Sequence, residues 1–212
     1  MSLDPAVVAA LSGVSTATLT TVLLKKGLRN TWMRGTRPLR AGQPRRVGRA
    51  FTLRFVPARE DLATPESWAS PVSTRAAIEA MPEGCIAVVD AMGVTDAGIF
   101  GDILCARMSK RGVAALVTDG VVRDGAGVAG TGLPVWCQGV AAPPSVAGLT
   151  FVGWQQPIAC GGVAVRRPWS RSASKRGSWA RSSVARRCPA CIRRTRRTAR
   201  ATRRVDPDIV AC

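Results

Sequence analysis

An α/β fold, with a largely parallel sheet covered on both faces, is what the middle of this 212-residue sequence predicts. Two observations carry it. The runs "CIAVVDAMG", "VAALVTDG" and "LPVWCQG" are short, continuously apolar and bounded by turn residues, as fully buried strands are. The segments between them, "AGIFGDILCARMSKRG" and "DGAGVAGTG", read as a helix and a short helical turn, so the order is strand, helix, strand, helix, strand, the rhythm of βαβ units.

The elements follow from local chemistry. Asp4 followed by Pro5 reads as an N-cap and first helical position, opening a helix to about Leu11. Ser15 caps a second helix, which closes on Lys25, Lys26 and Gly27, the order that the helix dipole and C-cap rules favour. A Gly/Pro/Arg-rich connector leads to "GRAFTLRFVPA", which alternates as a strand does. Loop punctuation then precedes a helix ending near Met81. The next strand ends at Asp90, the next helix stops at Gly112, and the strand after it ends at Asp119. Gly161-Gly162 marks a bulge or a close backbone approach rather than a phosphate loop. Trp32, Trp68, Trp136 and Trp154 are expected in the core or at interfaces, since none lies in an alternating basic and aromatic run.

Composition excludes much chemistry. Neither histidine nor tyrosine occurs, so Ser-His-Asp and Cys-His pairs and imidazole metal sites are impossible. Acid–base work falls to carboxylates, lysine, cysteine or water, and any metal would be a hard cation with oxygen ligands. Seven cysteines are scattered, four of them inside apolar runs, which suits a reducing, cytoplasmic compartment. The N-terminus lacks the basic region of a secretory signal, and no apolar run approaches the roughly 18 residues of a membrane span.

The net charge of +18 is unevenly placed. Residues 166–212 hold 15 Lys and Arg against 2 Asp and Glu, a net of +13, whereas residues 1–165 hold 16 against 11, a net of +5. Two domains of unlike character follow: an α/β domain over 1–165, and an Arg-rich, low-order segment over 166–212 without apolar periodicity. Two readings of that segment stand open, a basic arm for nucleic acid or translation out of frame.

The residues that carry chemistry lie at predicted strand ends, where ligands gather in such sheets. Asp102 opens the helix "DILCARMSKR", whose free N–H groups from about Asp102 to Leu104 suit an anion. Arg123 and Asp124 come one helix and one strand later, which returns the chain to the same sheet edge. A guanidinium and helix N–H groups can fix a carboxylate, and Asp124 can hold Mg²⁺ with water in the remaining positions. The bland reading is equally open: Arg123 and Asp124 as a turn ion pair with Asp124 capping the next helix, and Asp102 as an N-cap.

The stretch "GDILCARMSKRGVAALVTDGVVRD" resembles the signature of the RraA-like family, which contains ribonuclease regulators and class II 4-hydroxy-4-methyl-2-oxoglutarate aldolases. "VSTATLTTVL", "GRAFTL", "GLPVWCQGVAAPPS" and "PIACGGVAV" extend the resemblance over about residues 12–165. It implies a layered α/β/α sandwich of the phosphohistidine-swivelling type, assembled as a homotrimer or homohexamer with sites between subunits. It also implies cleavage of a small 2-keto acid to pyruvate, with oxaloacetate decarboxylation, using Mg²⁺ or Mn²⁺. By matching, Asp124 would be the metal ligand, Arg123 the carboxylate partner, Asp102 the water-positioning group, and Ile103 and Leu104 the backbone donors. The alternative it implies is a non-catalytic regulator that binds and inhibits a ribonuclease. Family members continue past "GGVAV" with an aliphatic strand region and an acidic helix; residues 166–212 match neither, so impaired activity is expected of this chain.

Overall fold

The computed structural model describes residues 3–165, apart from the side chains of Pro65 and Trp68, and the backbone of residues 209–211; the expectation for Trp68 thus lies outside the described residues. Helix α1 (Pro5–Ser12) begins where the Asp4 carboxylate accepts from the Ala6 N–H at 2.9 Å, and α2 (Thr16–Lys25) where Ser15 Oγ accepts from Thr18 N–H at 3.1 Å. Both N-caps are the residues the sequence marks. Gly27 follows α2 with φ +85°, a left-handed turn that costs glycine nothing.

The strands are β1 (Arg37–Pro38), β2 (Val47–Pro57), β3 (Ile86–Asp90), β4 (Ala115–Thr118), β5 (Val135–Cys137), β6 (Leu149–Trp154), β7 (Ile158–Cys160), β8 (Val163–Val165) and β9 (Ile209–Ala211). Helices α3 (Thr74–Glu79), α4 (Asp102–Lys110) and α5 (Gly125–Gly130) lie between β2 and β5. The main sheet runs β1-β5-β4-β3-β2-β6, with β9 beside the start of β2. β2, β3, β4 and β5 are mutually parallel, as the alternation of strands and helices predicts; β1, β6 and β9 join antiparallel. The fold is therefore mixed α/β around a mostly parallel sheet.

Strand alternation sorts the core into two clusters. Phe51, Leu53, Phe55, Ala87, Val89 and Leu116 face one way, onto Ile78 of α3, Met81 just after it, and Cys105 and Met108 of α4. Their neighbours Ala50, Ile86, Val88, Ala115 and Val117 face the other way, onto Ile158, Cys160, Val163 and Val165 of the β7–β8 hairpin. The hairpin is pinned by two buried acids. Asp90 accepts from the N–H groups of Met92 (3.1 Å) and Ala159 (3.1 Å), and Asp119 from those of Ala91 (2.8 Å) and Gly161 (3.0 Å). Gly161 is the close approach expected: a Cβ there would lie 2.7 Å from the Arg34 nitrogen.

Trp136 and Trp154 pack half-buried against the two clusters. Trp32 does not join the core; it is 63% exposed, whereas its neighbour Met33 packs against the second cluster and Leu39 against the first. The low-order segment expected over 166–212 lies outside the described residues except for Ile209–Ala211, whose backbone pairs antiparallel with Val47–Arg49.

Candidate functional site

Two loops meet at the carboxyl ends of the parallel strands. Residues 98–100 run beside residues 121–123: Ile99 N–H donates to Val121 C=O at 2.9 Å, and Arg123 N–H to Phe100 C=O at 3.0 Å. The first loop then opens α4 at Asp102 and the second opens α5 at Gly125, so the two helix starts converge. Side-chain-free positions let them close. A Cβ on Gly101 would lie 2.8 Å from Asp124 Oδ2 and 3.2 Å from Arg123 Cγ; one on Gly127 would lie 2.9 Å from Asp102 Cβ. Asp102, Arg123 and Asp124 are thus brought to one place, as counting one helix and one strand between them predicts.

The details separate the open readings. Arg123 Nε donates to Asp124 Oδ2 at 3.1 Å, so the turn ion pair exists, with side chains 38% and 48% exposed. Asp124 stands at the N-cap position of α5, yet its carboxylate makes no capping bond, and its backbone is left-handed at φ 53°, ψ 48°. The N-cap of α4 is Gly101, and Asp102 is the first helical residue. Asp102 Oδ1 accepts from the Ile103 N–H at 2.7 Å, which engages one of the backbone donors singled out for an anion. Leu104 is half-buried against the core, while the Ile103 side chain is 79% exposed.

Asp102 and Ile103 also line a groove of about 560 Å³ between α4 and α5, with Arg107, Lys110, Gly127 and Thr131. Arg123 and Asp124 are not part of that groove; they lie beyond Gly101. Among the described residues no group of three or more His, Cys, Asp or Glu side chains could hold a metal ion. A single half-exposed carboxylate free of capping duty is nevertheless a donor set that suits Mg²⁺, which keeps several waters and takes one or two protein carboxylates.

Two neighbouring acids were not among the residues expected at the site. Asp90 ends β3 and Asp119 directly follows β4, yet their oxygens are spent on backbone N–H groups, which makes them braces. Burial pushes the Asp119 carboxyl above the usual carboxylate range, opposed by the Gly161 and Ala91 N–H groups and reinforced by Asp90. The four described cysteines are all buried thiols. Burial raises Cys85 to about 11 and Cys105 to about 12, so neither is a thiolate nucleophile near neutral pH. Among the described residues no single helix is long and apolar enough to cross a membrane.

Known proteins resemble this chain in sequence and fold. The chain matches the RraA-like family, described as Aldolase/RraA, over residues 16–168. It is 34% identical over 93 residues to a Halalkalibacterium halodurans protein provisionally named a 4-hydroxy-4-methyl-2-oxoglutarate aldolase, a match spanning 43% of each chain. Among solved structures it resembles Streptomyces coelicolor RraAS2, described as an unusual member of the RNase ES inhibitor RraA family. That likeness has a TM-score of 0.69 and 32% identity over 78% of this chain and 79% of the other. The RNA-processing inhibitor RraA from Thermus thermophilis shares the fold at TM-score 0.52 and 20% identity, covering 72% and 83% of the two chains. With a family match across most of its length and a solved relative of similar fold at 32% identity, the chain belongs to the RraA-like family.

Proposed function

We propose that this chain is a divalent-metal-dependent aldolase that cleaves 4-hydroxy-4-methyl-2-oxoglutarate-type 2-keto acids to pyruvate and also decarboxylates oxaloacetate. The observation that carries the reading is Asp124, held in a left-handed conformation beside Arg123 with its carboxylate unused as a cap. Backbone strain kept at such a position points to a role for the side chain. Asp124 would hold Mg²⁺ or Mn²⁺, and the ion would supply Lewis-acid polarisation of the keto acid. Arg123 would leave its pairing with Asp124 to grip the substrate carboxylate through its planar fork. Asp102, with Oδ1 engaged by Ile103 N–H, would use Oδ2 to order a water that takes the hydroxyl proton as the carbon–carbon bond breaks. The Leu104 N–H and, once released, that of Ile103 would complete the carboxylate's environment at the start of α4.

The same reading places the working form in the cytoplasm as a homotrimer or homohexamer with sites between subunits. Its support is the apolar surface near the site, where Ile103 is 79%, Val140 54% and Val146 49% exposed. The test is pyruvate release from oxaloacetate and from 4-hydroxy-4-methyl-2-oxoglutarate with added Mg²⁺ or Mn²⁺. Asp124→Ala and Arg123→Ala should each lower the rate at least about a hundredfold, the scale of lost transition-state charge stabilisation. Equal rates in parent and variants would refute the assignment.

A second reading, a regulator that binds and inhibits a ribonuclease, is favoured by the likeness to Streptomyces coelicolor RraAS2 over most of both chains. In that case inhibition of RNA cleavage would survive Asp124→Ala.

A further inference from the structure

Charge is segregated along the described chain in a way the aldolase reading does not use. From residue 5 to residue 59 there is no acidic residue and there are 11 Lys and Arg; from 125 to 165 there is no charged residue of either sign. These two stretches meet in space. The connector between α2 and β2 runs past the β7–β8 hairpin, where Arg34 N–H donates to Gly161 C=O at 3.0 Å and Asn30 Nδ2 to Gly162 C=O. It continues along β1, which pairs with β5 and has no described strand outside it. Leu39 N–H and Gln43 Nε2 then both donate to Val135 C=O at 2.9 Å.

The outer edge of the sheet is therefore a strip bearing exposed Arg29, Arg34, Arg37 and Arg40, laid against elements that contain no carboxylate. Asp90 and Asp119, under the hairpin, are buried and bonded to backbone N–H groups, and do not neutralise it. Trp32, between Arg29 and Arg34, is 63% exposed.

We infer that this edge is a binding surface for single-stranded nucleic acid. Guanidiniums at intervals of three to five residues along a tethered strip can track a phosphate backbone, and Arg forks match phosphate oxygens. An exposed indole among them is a platform on which a base can stack. A membrane surface fits less well, because from Arg29 to Arg46 Trp32 is the one large apolar side chain that is exposed.

The experiment uses the full chain and a fluorescein-labelled 15-nucleotide oligouridylate, titrated at several salt concentrations. The variant Arg34→Gln/Arg37→Gln/Arg40→Gln should bind at least about tenfold more weakly, and its slope of log K against log salt should fall by about 2, near 0.7 per lost single-strand phosphate contact. Trp32→Ala should weaken binding roughly tenfold with the slope unchanged, since stacking releases no counterion. Both variants should keep the parent's circular dichroism and pyruvate release, which separates this outcome from that of the aldolase reading. Parent-like binding by both variants would overturn the inference. So would a loss seen only with Arg193→Gln/Arg194→Gln/Arg197→Gln, which removes equal charge from residues 166–212. Strip-dependent binding to phosphatidylserine vesicles without binding to the oligonucleotide would overturn it in favour of a membrane surface.

Discussion

Asp124 keeps a backbone conformation that suits glycine better, at φ 53°. A non-glycine residue held there costs on the order of 1 kcal/mol, which the parallel run of residues 98–100 beside 121–123 sustains. Asp124→Gly relieves that cost while freeing the unfolded chain, two effects of similar size and opposite sign. Its stability should therefore stay within about 1 kcal/mol of the parent, read as an unchanged melting temperature to within a few degrees. Pyruvate release should nevertheless disappear. Asp124→Ala places a Cβ in the same left-handed position without a polar group and should melt lower than Asp124→Gly. The order Gly above Ala in stability, with both inactive, marks a carboxylate kept for chemistry; an active Asp124→Gly would count against it. The meeting of Asp102, Arg123 and Asp124 was legible in the sequence, because one helix and one strand must return the chain to the same edge. The work of Asp119 was not: its partners are backbone N–H groups of Ala91 and Gly161, and no side-chain type announces a backbone donor.

At the scale of elements, Asp90 and Asp119 tie the turn after β3 to the β7–β8 hairpin. Asp119→Asn replaces one acceptor by a donor facing an N–H, so it should cost about 1–3 kcal/mol and loosen the hairpin. Its pH dependence has a definite sign. Because burial raises the folded-state value of Asp119, its native state holds the proton more tightly than the unfolded chain does. The stability this adds is fully present below the unfolded value near 3.9 and is lost as the pH rises through the raised folded value. Denaturant titrations of parent and Asp119→Asn from pH 3 to 7 should show the parent's advantage shrinking over that window; an advantage that grows would reverse the assignment.

Glu79 behaves oppositely. Arg107 grips it with two bonds of 2.6 and 2.7 Å, and Arg111 adds a third at 3.1 Å, joining α3 to α4. The Arg107 bond foremost holds its carboxyl below the usual range, so its contribution is present above the unfolded value and fades as the pH falls through the folded one. The network is solvent-exposed, so Glu79→Gln should lower the melting temperature slightly in dilute salt and not at all at 1 M. The central strands were legible because their apolar runs are continuous, and α4 because Gly101 and Gly112 bound it. The edges were not: β1 is two residues long, and β6 joins β2 antiparallel by a long return that no local pattern encodes.

Across the whole molecule, the aromatic centre of the larger cluster links the core to the site. Phe55 is 2% exposed and meets Phe100 at 6.2 Å and Phe151 at 5.3 Å, both edge-on. Phe100 immediately precedes Gly101 and accepts the Arg123 N–H through its carbonyl, so its ring anchors the loop that sets Asp102 against α5. The alternation of "GRAFTLRFVPA" places Phe51, Leu53 and Phe55 on one face from sequence alone. That Phe55 would meet Phe100 rather than a helix residue depends on how β2 and the 98–101 loop meet in three dimensions. Phe55→Ala should remove about 3–5 kcal/mol, a large part of the 5–15 kcal/mol that holds a domain together. Phe55→Leu leaves a smaller void and should lose correspondingly less. Because the void opens beneath Phe100, the loop should loosen before the sheet does. Amide exchange at residues 98–104 of Phe55→Leu should accelerate at denaturant concentrations where β3 and β4 remain protected. Uniform acceleration of loop and strands would show that the aromatic trio stabilises the fold as a whole without specifically bracing the site.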